Sequence, residues 1–187
     1  MDWLYRLTGS FRSRQWNKSK FRDVQHIPWK GWGAAKRVGI LFDAYSFRED
    51  LEPLRALVAH WKLEQRAVSI CGWTGQMRPK NVLYNGRQLV FIDDFTWKGQ
   101  PESGNALEFI QTEFDLLICL HRSSGSPLDD LAAKTRAGLR VCAAGEQDFY
   151  DLCLIPDSND YIAYGKDLSE WLIKITPTPI EIIDEPI

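Results

Sequence analysis

Asp43, His121 and Ser123 are the residue types from which a hydrolytic centre could be assembled in this chain of 187 residues. A histidine takes the proton of a serine hydroxyl while a carboxylate holds the imidazole in place. Asp43 closes the apolar run RVGILFDA, and His121 and Ser123 follow FDLLICLH, with Arg122 and Ser124 alongside. Ser46 comes shortly after the first run, and Asp93 and Asp94 close another, QLVFIDD. If these runs are strands of one parallel sheet, the groups gather at its carboxyl rim, where ligands bind in such sheets. Against catalysis, no G-x-S-x-G segment places a serine on a strained strand-to-helix turn. The three residues are weak catalytic candidates, and plain solvated strand ends account for them more simply.

Anion and metal chemistry find less support. HRSSGSP, residues 121–127, leads into a helix start, where backbone N–H groups bind anions. It lacks both the P-loop pattern and G-x-G-x-x-G, and Asp129 and Asp130 would repel a phosphate from that helix end. His26, His60 and His121 lie far apart, with no H-x-x-x-H or E-x-x-H spacing, so no metal site is expected. Asp93 and Asp94 could hold magnesium, but an acidic strand end in water is the plainer reading. No cofactor is called for. Trp97, Gly99 and Pro101 form a W-x-G-x-P loop whose simplest role is to lock a loop conformation.

The densest chemistry lies nearer the amino terminus. Arg12, Arg14, Lys18, Lys20, Arg22 and Lys30 alternate with rings that include Trp16, Phe21, Trp29 and Trp32. Residues 1–37 carry nine Lys/Arg and two Asp/Glu, and residues 38–187 carry fourteen and twenty-three, for a net charge of −2. Such asymmetry suggests an arm with its own task. Cations and rings suit RNA, where Lys and Arg neutralise phosphates and rings stack on bases. They also suit an anionic membrane surface, with Trp3, Leu4, Tyr5, Leu7 and Phe11 at the interface. A third arrangement folds the arm over the acidic body, with Trp29 and Trp32 packed on the sheet edge.

The elements that would position these groups follow from periodicity. No apolar run approaches the roughly 18–20 residues of a membrane span, and the start of the chain lacks a signal-peptide pattern, so a cytoplasmic protein is expected. Four cysteines, Cys71, Cys119, Cys142 and Cys153, sit in strand-like runs without a C-x-x-C pair and read as small buried hydrophobes. Strands are expected at 37–44, 66–73, 88–94, 114–121, 139–144 and 150–155. A helix follows the first strand, opened by a Ser46/Glu49 capping box or, alternatively, near Asp50 with Pro53 in its first turn. Others are expected after Ser103, and from Pro127 with Ser126 as its cap and Gly138 as its stop. Leu168, Trp171, Leu172 and Ile175 mark the last helix. Apolar runs alternating with amphipathic helices imply an α/β fold: one three-layer domain with a mostly parallel sheet, wound as in Rossmann or flavodoxin folds. The organisation reads as a basic arm over 1–36, the α/β domain over 37–176 and an acidic, proline-containing tail over 177–187.

VGILFDA, TWKGQPES, EFIQTEFDLLICL and FYDLCLI together resemble a family of small, functionally uncharacterised Bacteroidota proteins, over residues 36–175. Its pattern has a basic N-terminal segment, an IGILFD-like strand, a W-x-G-x-P loop, an FDLLI strand and an FYDLMI-like strand. This resemblance implies a shared fold and a bacterial cytoplasmic setting, and brings no activity or catalytic residue. FDLLICL…LAAKTRAGLRV is more weakly similar to the N-terminal half of heptosyltransferase-type glycosyltransferases, which have two Rossmann-like domains. Their nucleotide-sugar is held largely by the second domain, so that likeness supports the winding alone. The expectation is a binding or accessory protein recruited by its arm to RNA or a ribosomal particle. An enzyme of glycosyltransferase-like or hydrolase type, and a membrane-surface protein, are the alternatives.

Overall fold

Val38, Ile40, Leu41 and Phe42 are all at most 1 % exposed. A strand so apolar must be covered on both faces, and this one lies inside the sheet with a helical layer on each side. The computed structural model describes residues 24–44, 52–79, 88–96, 100–102, 104–121, 127–143, 149–156 and 160–176. Among them are strands β1 (Arg37–Asp43), β2 (Ala67–Trp73), β3 (Gln88–Val90), β4 (Glu113–Cys119), β5 (Arg136–Cys142) and β6 (Leu152–Cys153). The helices are α1 (Glu52–Leu63), α2 (Gly104–Gln111), α3 (Pro127–Lys134) and α4 (Tyr161–Lys174). All strand pairs are parallel, in the order β3-β2-β1-β4-β5-β6. This is the Rossmann order, and it decides against the flavodoxin winding. The switch point, where strand order reverses, falls between β1 and β4.

Side-chain alternation divides the core in two. Val38, Ile40, Phe42, Ile118 and Val141 face Leu54, Leu57 and Trp61 of α1 and Tyr164, Leu168 and Leu172 of α4. Leu41, Cys71, Leu117 and Cys119 face Ala106 and Phe109 of α2 and Leu128, Leu131 and Ala132 of α3. Gly165 lets α1 and α4 approach closely, because a Cβ there would collide with Leu57.

Residues 24–36 belong to this packing. Ala137 N–H donates to the Gln25 carbonyl at 3.2 Å, and Ile27 N–H to the Ala137 carbonyl at 3.1 Å, so His26 bridges the start of β5. The segment then crosses beneath the sheet. Trp29 packs against the core cluster on the α1/α4 side. Trp32 is 6 % exposed and meets Trp61 edge-on at 6.0 Å. The Arg66 guanidinium lies 3.5 Å from the Trp32 ring centroid and donates to the Trp32 carbonyl at 3.0 Å and to the Ala35 carbonyl. Asp115 then fixes the entry to β1, accepting from Lys36 N–H at 2.7 Å and Arg37 N–H at 2.9 Å.

Several boundaries differ from the periodicity. The third strand ends at Val90, and a 3-10 turn over Ile92–Asp94 follows, because the Asp94 carboxylate reaches back to Phe91 N–H at 2.9 Å. The strand expected at 139–144 starts at Arg136 and ends at Cys142, with Gly138 inside it rather than ending the helix. A Cβ on Gly138 would lie 2.8 Å from the Asp115 carbonyl of the neighbouring strand β4, so glycine is needed at that close approach. The strand expected at 150–155 narrows to Leu152–Cys153. Helix α1 begins at Glu52 with Pro53 in its first turn, the second of the two starts expected. Of the four cysteines expected to be buried, Cys153 is exposed, because its strand is the sheet edge. Ser46, Glu49, Asp50, Ser103, Ser126 and the tail over 177–187 lie outside the described residues.

Candidate functional site at the carboxyl end of the sheet

Successive residues of a strand alternate faces, so Cys119 and His121 point toward α3 while Leu120 joins the opposite core. Asp43, the last residue of β1, shares the α3 side with Leu41 by the same alternation. Asp43 thus ends, and His121 follows, the two strands that flank the switch point. Ser123, with Arg122 and Ser124, lies outside the described residues.

The structure brings His121 to partners that periodicity did not reveal. Its Nε2 lies 2.8 Å from Asp129 Oδ1 in the first turn of α3. The side chains are 2 % and 3 % exposed. Tyr150 donates its hydroxyl to the same Asp129 oxygen at 2.8 Å. Cys119, two residues before His121 and on the same face, is also fully buried. The Asp129 carboxylate can only accept, so Nε2 carries a proton toward it and Nδ1 is the second ring nitrogen to be placed. That Nδ1 is buried and has no hydrogen-bond partner. Burial pushes both the Cys119 thiol and the Tyr150 phenol up from their ordinary values, so both stay protonated at neutral pH. The thiol and the phenol therefore hold their protons, and of the cluster only Tyr150 is partly exposed.

At the other end of α3, Arg140 carries a second network. Its Nε donates to the Ala132 carbonyl at 3.0 Å, and its Nη2 to the carbonyls of Thr135 and Gln25, each at 2.6 Å. Nη1 donates to Nδ1 of His26 at 3.2 Å. The Arg140 side chain ties the last turn of α3 to the entering segment. Burial lowers its pKa, and Asp151 opposes that shift. The signal for it was an arginine inside the apolar run LRVCAA.

The remaining expected sites divide as follows. Asp94 is 2 % exposed, and Arg78 donates to it at 2.7 Å. Asp93 accepts from Arg78 N–H at 2.9 Å. The acidic strand end is thus not a solvated pair, since Arg78 occupies it and burial excludes water from Asp94. In the W-x-G-x-P loop, Pro101 bridges Phe95, and Thr96 N–H donates to the Gln100 carbonyl at 2.8 Å, while Trp97 and Gly99 lie outside the described residues. Lys30 is exposed. Arg12, Arg14, Trp16, Lys18, Lys20, Phe21 and Arg22 also lie outside the described residues. Among the described residues, no three metal-ligating side chains come together, and no helix is long and apolar enough to cross a membrane.

Residues 12–175 match the model of a family of unknown function, DUF6913, and the chain belongs to that family. None of the curated proteins matches the sequence.

Proposed function

We propose that this member of the DUF6913 family is a non-enzymatic binding or accessory protein of the cytoplasm, carried by its basic arm to an anionic partner, namely RNA or a ribosomal particle. The support from sequence is the concentration of Arg12, Arg14, Lys18, Lys20 and Arg22 around Trp16 and Phe21 ahead of an acidic body. The observation that carries the reading is the anchor after them. Gln25 and Ile27 pair with β5, and Arg140 holds the Gln25 carbonyl. The cationic stretch therefore joins the body at a fixed point. Trp29 and Trp32 are committed to the core, which contracts the contact surface to residues before Val24 together with exposed Lys30.

The test is a full chain with Arg12, Arg14, Lys18, Lys20 and Arg22 all replaced by Glu. The parent chain is expected to bind single-stranded RNA with log K falling by about 0.7 per phosphate contact as log salt rises. The variant is expected to keep the parent's thermal midpoint and lose binding. Binding to anionic vesicles but not RNA would move the reading to a membrane surface, and binding to neither would overturn it.

A second reading, an enzyme of glycosyltransferase-like or hydrolase type, draws on one observation: His121 presents an unpartnered Nδ1 beside the switch point. It requires turnover of a nucleotide, nucleotide-sugar or ester that His121→Ala abolishes. Incubation with such compounds followed by mass spectrometry decides it.

A further inference from the structure

Cys142 and Cys153 are directly paired residues of neighbouring parallel strands. Paired residues in a parallel ladder send their side chains to the same face, so the Cys142 and Cys153 thiols share one face at the sheet edge. Paired Cα atoms of adjacent strands lie about 4.8 Å apart, inside the window of roughly 4.4–6.8 Å that a disulfide accepts. Cys119 extends the same row on β4, opposite Cys142. Along the row, burial gives way to exposure: Cys119 and Cys142 are buried, and Cys153, on the edge strand, is exposed. Cys119 lies buried one strand further in, which leaves the outer two thiols as the pair nearest the edge.

We propose that Cys142 and Cys153 form a reversible oxidation site that closes to a disulfide when hydrogen peroxide is the oxidant. The Cys153 thiolate sulfur attacks one peroxide oxygen, the O–O bond breaks, and the departing hydroxide is protonated to water. Cys153 is then a sulfenic acid. The Cys142 sulfur attacks the Cys153 sulfur, the S–S bond forms, and the sulfenic oxygen leaves with the Cys142 proton as a second water. Two thiols lose two hydrogens and two electrons, and one peroxide becomes two waters. Exposure sets the order, since dissolved peroxide reaches Cys153 first. Burial pushes the Cys142 thiol up to about 12, so it remains protonated until its neighbour has been oxidised. The parallel ladder holds the two Cβ atoms near the Cα spacing, wider than the roughly 3.5–4.5 Å of relaxed disulfides. A bond closed across that gap is strained and readily reduced, which makes the site reversible.

The test treats the reduced full chain with hydrogen peroxide, blocks remaining thiols by alkylation and maps the peptides by mass spectrometry. The Cys142 and Cys153 peptides are expected to vanish together into one cross-linked pair, and dithiothreitol is expected to restore both. Cys153→Ser is expected to abolish the cross-link. In Cys142→Ser, Cys153 is expected to stop at the sulfenic acid, which dimedone captures. The wild-type map carries the test even if the buried Cys142→Ser substitution weakens the fold. Oxidation of Cys153 with the Cys142 thiol intact in the wild-type chain would overturn the proposal. So would no oxidation of Cys153 at peroxide levels that oxidise free cysteine.

Discussion

Helix α3 is gripped at both ends by buried polar side chains, and the two grips are built on different terms. At its carboxyl end, Arg140 donates to the carbonyls of Ala132 and Thr135, groups that the end of a helix leaves without partners. It extends the same fork to Gln25 and His26, so four of the roughly five N–H donors of a guanidinium are placed. At the amino end, Asp129 and Asp130 complement the helix dipole, and Asp129 receives His121 and Tyr150. There the imidazole is half satisfied, with Nδ1 unpartnered. A buried fork whose donors meet three backbone carbonyls and one imidazole nitrogen serves to hold backbone in place. A buried network with a nitrogen to spare spends desolvation energy that the fold does not recover, and departures of that kind concentrate where a protein does something besides fold.

The comparison breaks most readily at Arg140. Arg140→Leu removes the guanidinium donors from the carbonyls of Gln25, Ala132 and Thr135; Gln25 keeps Ala137 N–H, and each acceptor that loses a buried hydrogen bond costs free energy. The expected loss of stability is roughly 3–5 kcal/mol, read from urea unfolding. The backbone amides of Gln25 and Ile27 should exchange faster, because the segment loses its tie to α3. Arg140→Lys should recover little, since an ammonium cannot reach four acceptors in one plane. A variant that unfolds at the parent's urea midpoint would show that the carboxyl-end network is not a clamp.

What the sequence disclosed about these two ends follows the range of the interactions. The apolar runs of β1 and β4 needed nothing beyond themselves, and they placed His121 and Asp43 at the switch point. Asp129 was legible only as a charge suited to a helix start. That it also turns inward to His121 depends on how α3 folds back over the sheet, which local spacing does not encode. Gly138 resembled a helix stop because a glycine after a helix usually is one. Its actual reason is the Asp115 carbonyl of β4, 2.8 Å from where a Cβ would sit, a close approach set by strand pairing rather than by local sequence. The alternation of charge and rings across Trp29 and Trp32 allowed both a contact surface and packing on the body, and both rings pack against the core. Arg140 was readable in principle, since a single guanidinium in an apolar strand has to find several acceptors, but not which acceptors.

A substitution at His121 sharpens the comparison. His121→Phe keeps the ring volume and removes one hydrogen bond to Asp129, while Tyr150 continues to serve that carboxylate. It also removes the burial cost of the unpartnered Nδ1. The expected loss is about 1–2 kcal/mol by urea unfolding, clearly smaller than that of Arg140→Leu. Equal losses at the two positions would mean that the amino-end network is as structural as the carboxyl-end one, and the contrast drawn between them would disappear.

The smallest effect is a pH dependence confined to the amino end. Asp130 is 6 % exposed, and burial raises its pKa, while Lys134, donating at 2.6 Å, pulls the other way. With the folded pKa above the unfolded value of about 3.9, the native state binds more protons between the two. Stability therefore falls as pH rises through that window and is level above it. Asp130→Asn cannot titrate, so it should flatten this slope, by an amount on the order of 1 kcal/mol or less. Lys134→Met removes the stabilising cation and should steepen it. Urea midpoints measured across the acidic range separate the three chains. At the carboxyl end no such slope is expected from Arg140, whose guanidinium stays charged throughout that range. If Asp130→Asn retained the parent's slope, the acidic titration would have to come from a carboxylate elsewhere, and the amino end of α3 would lose its claim to be the pH-sensitive half of the pair.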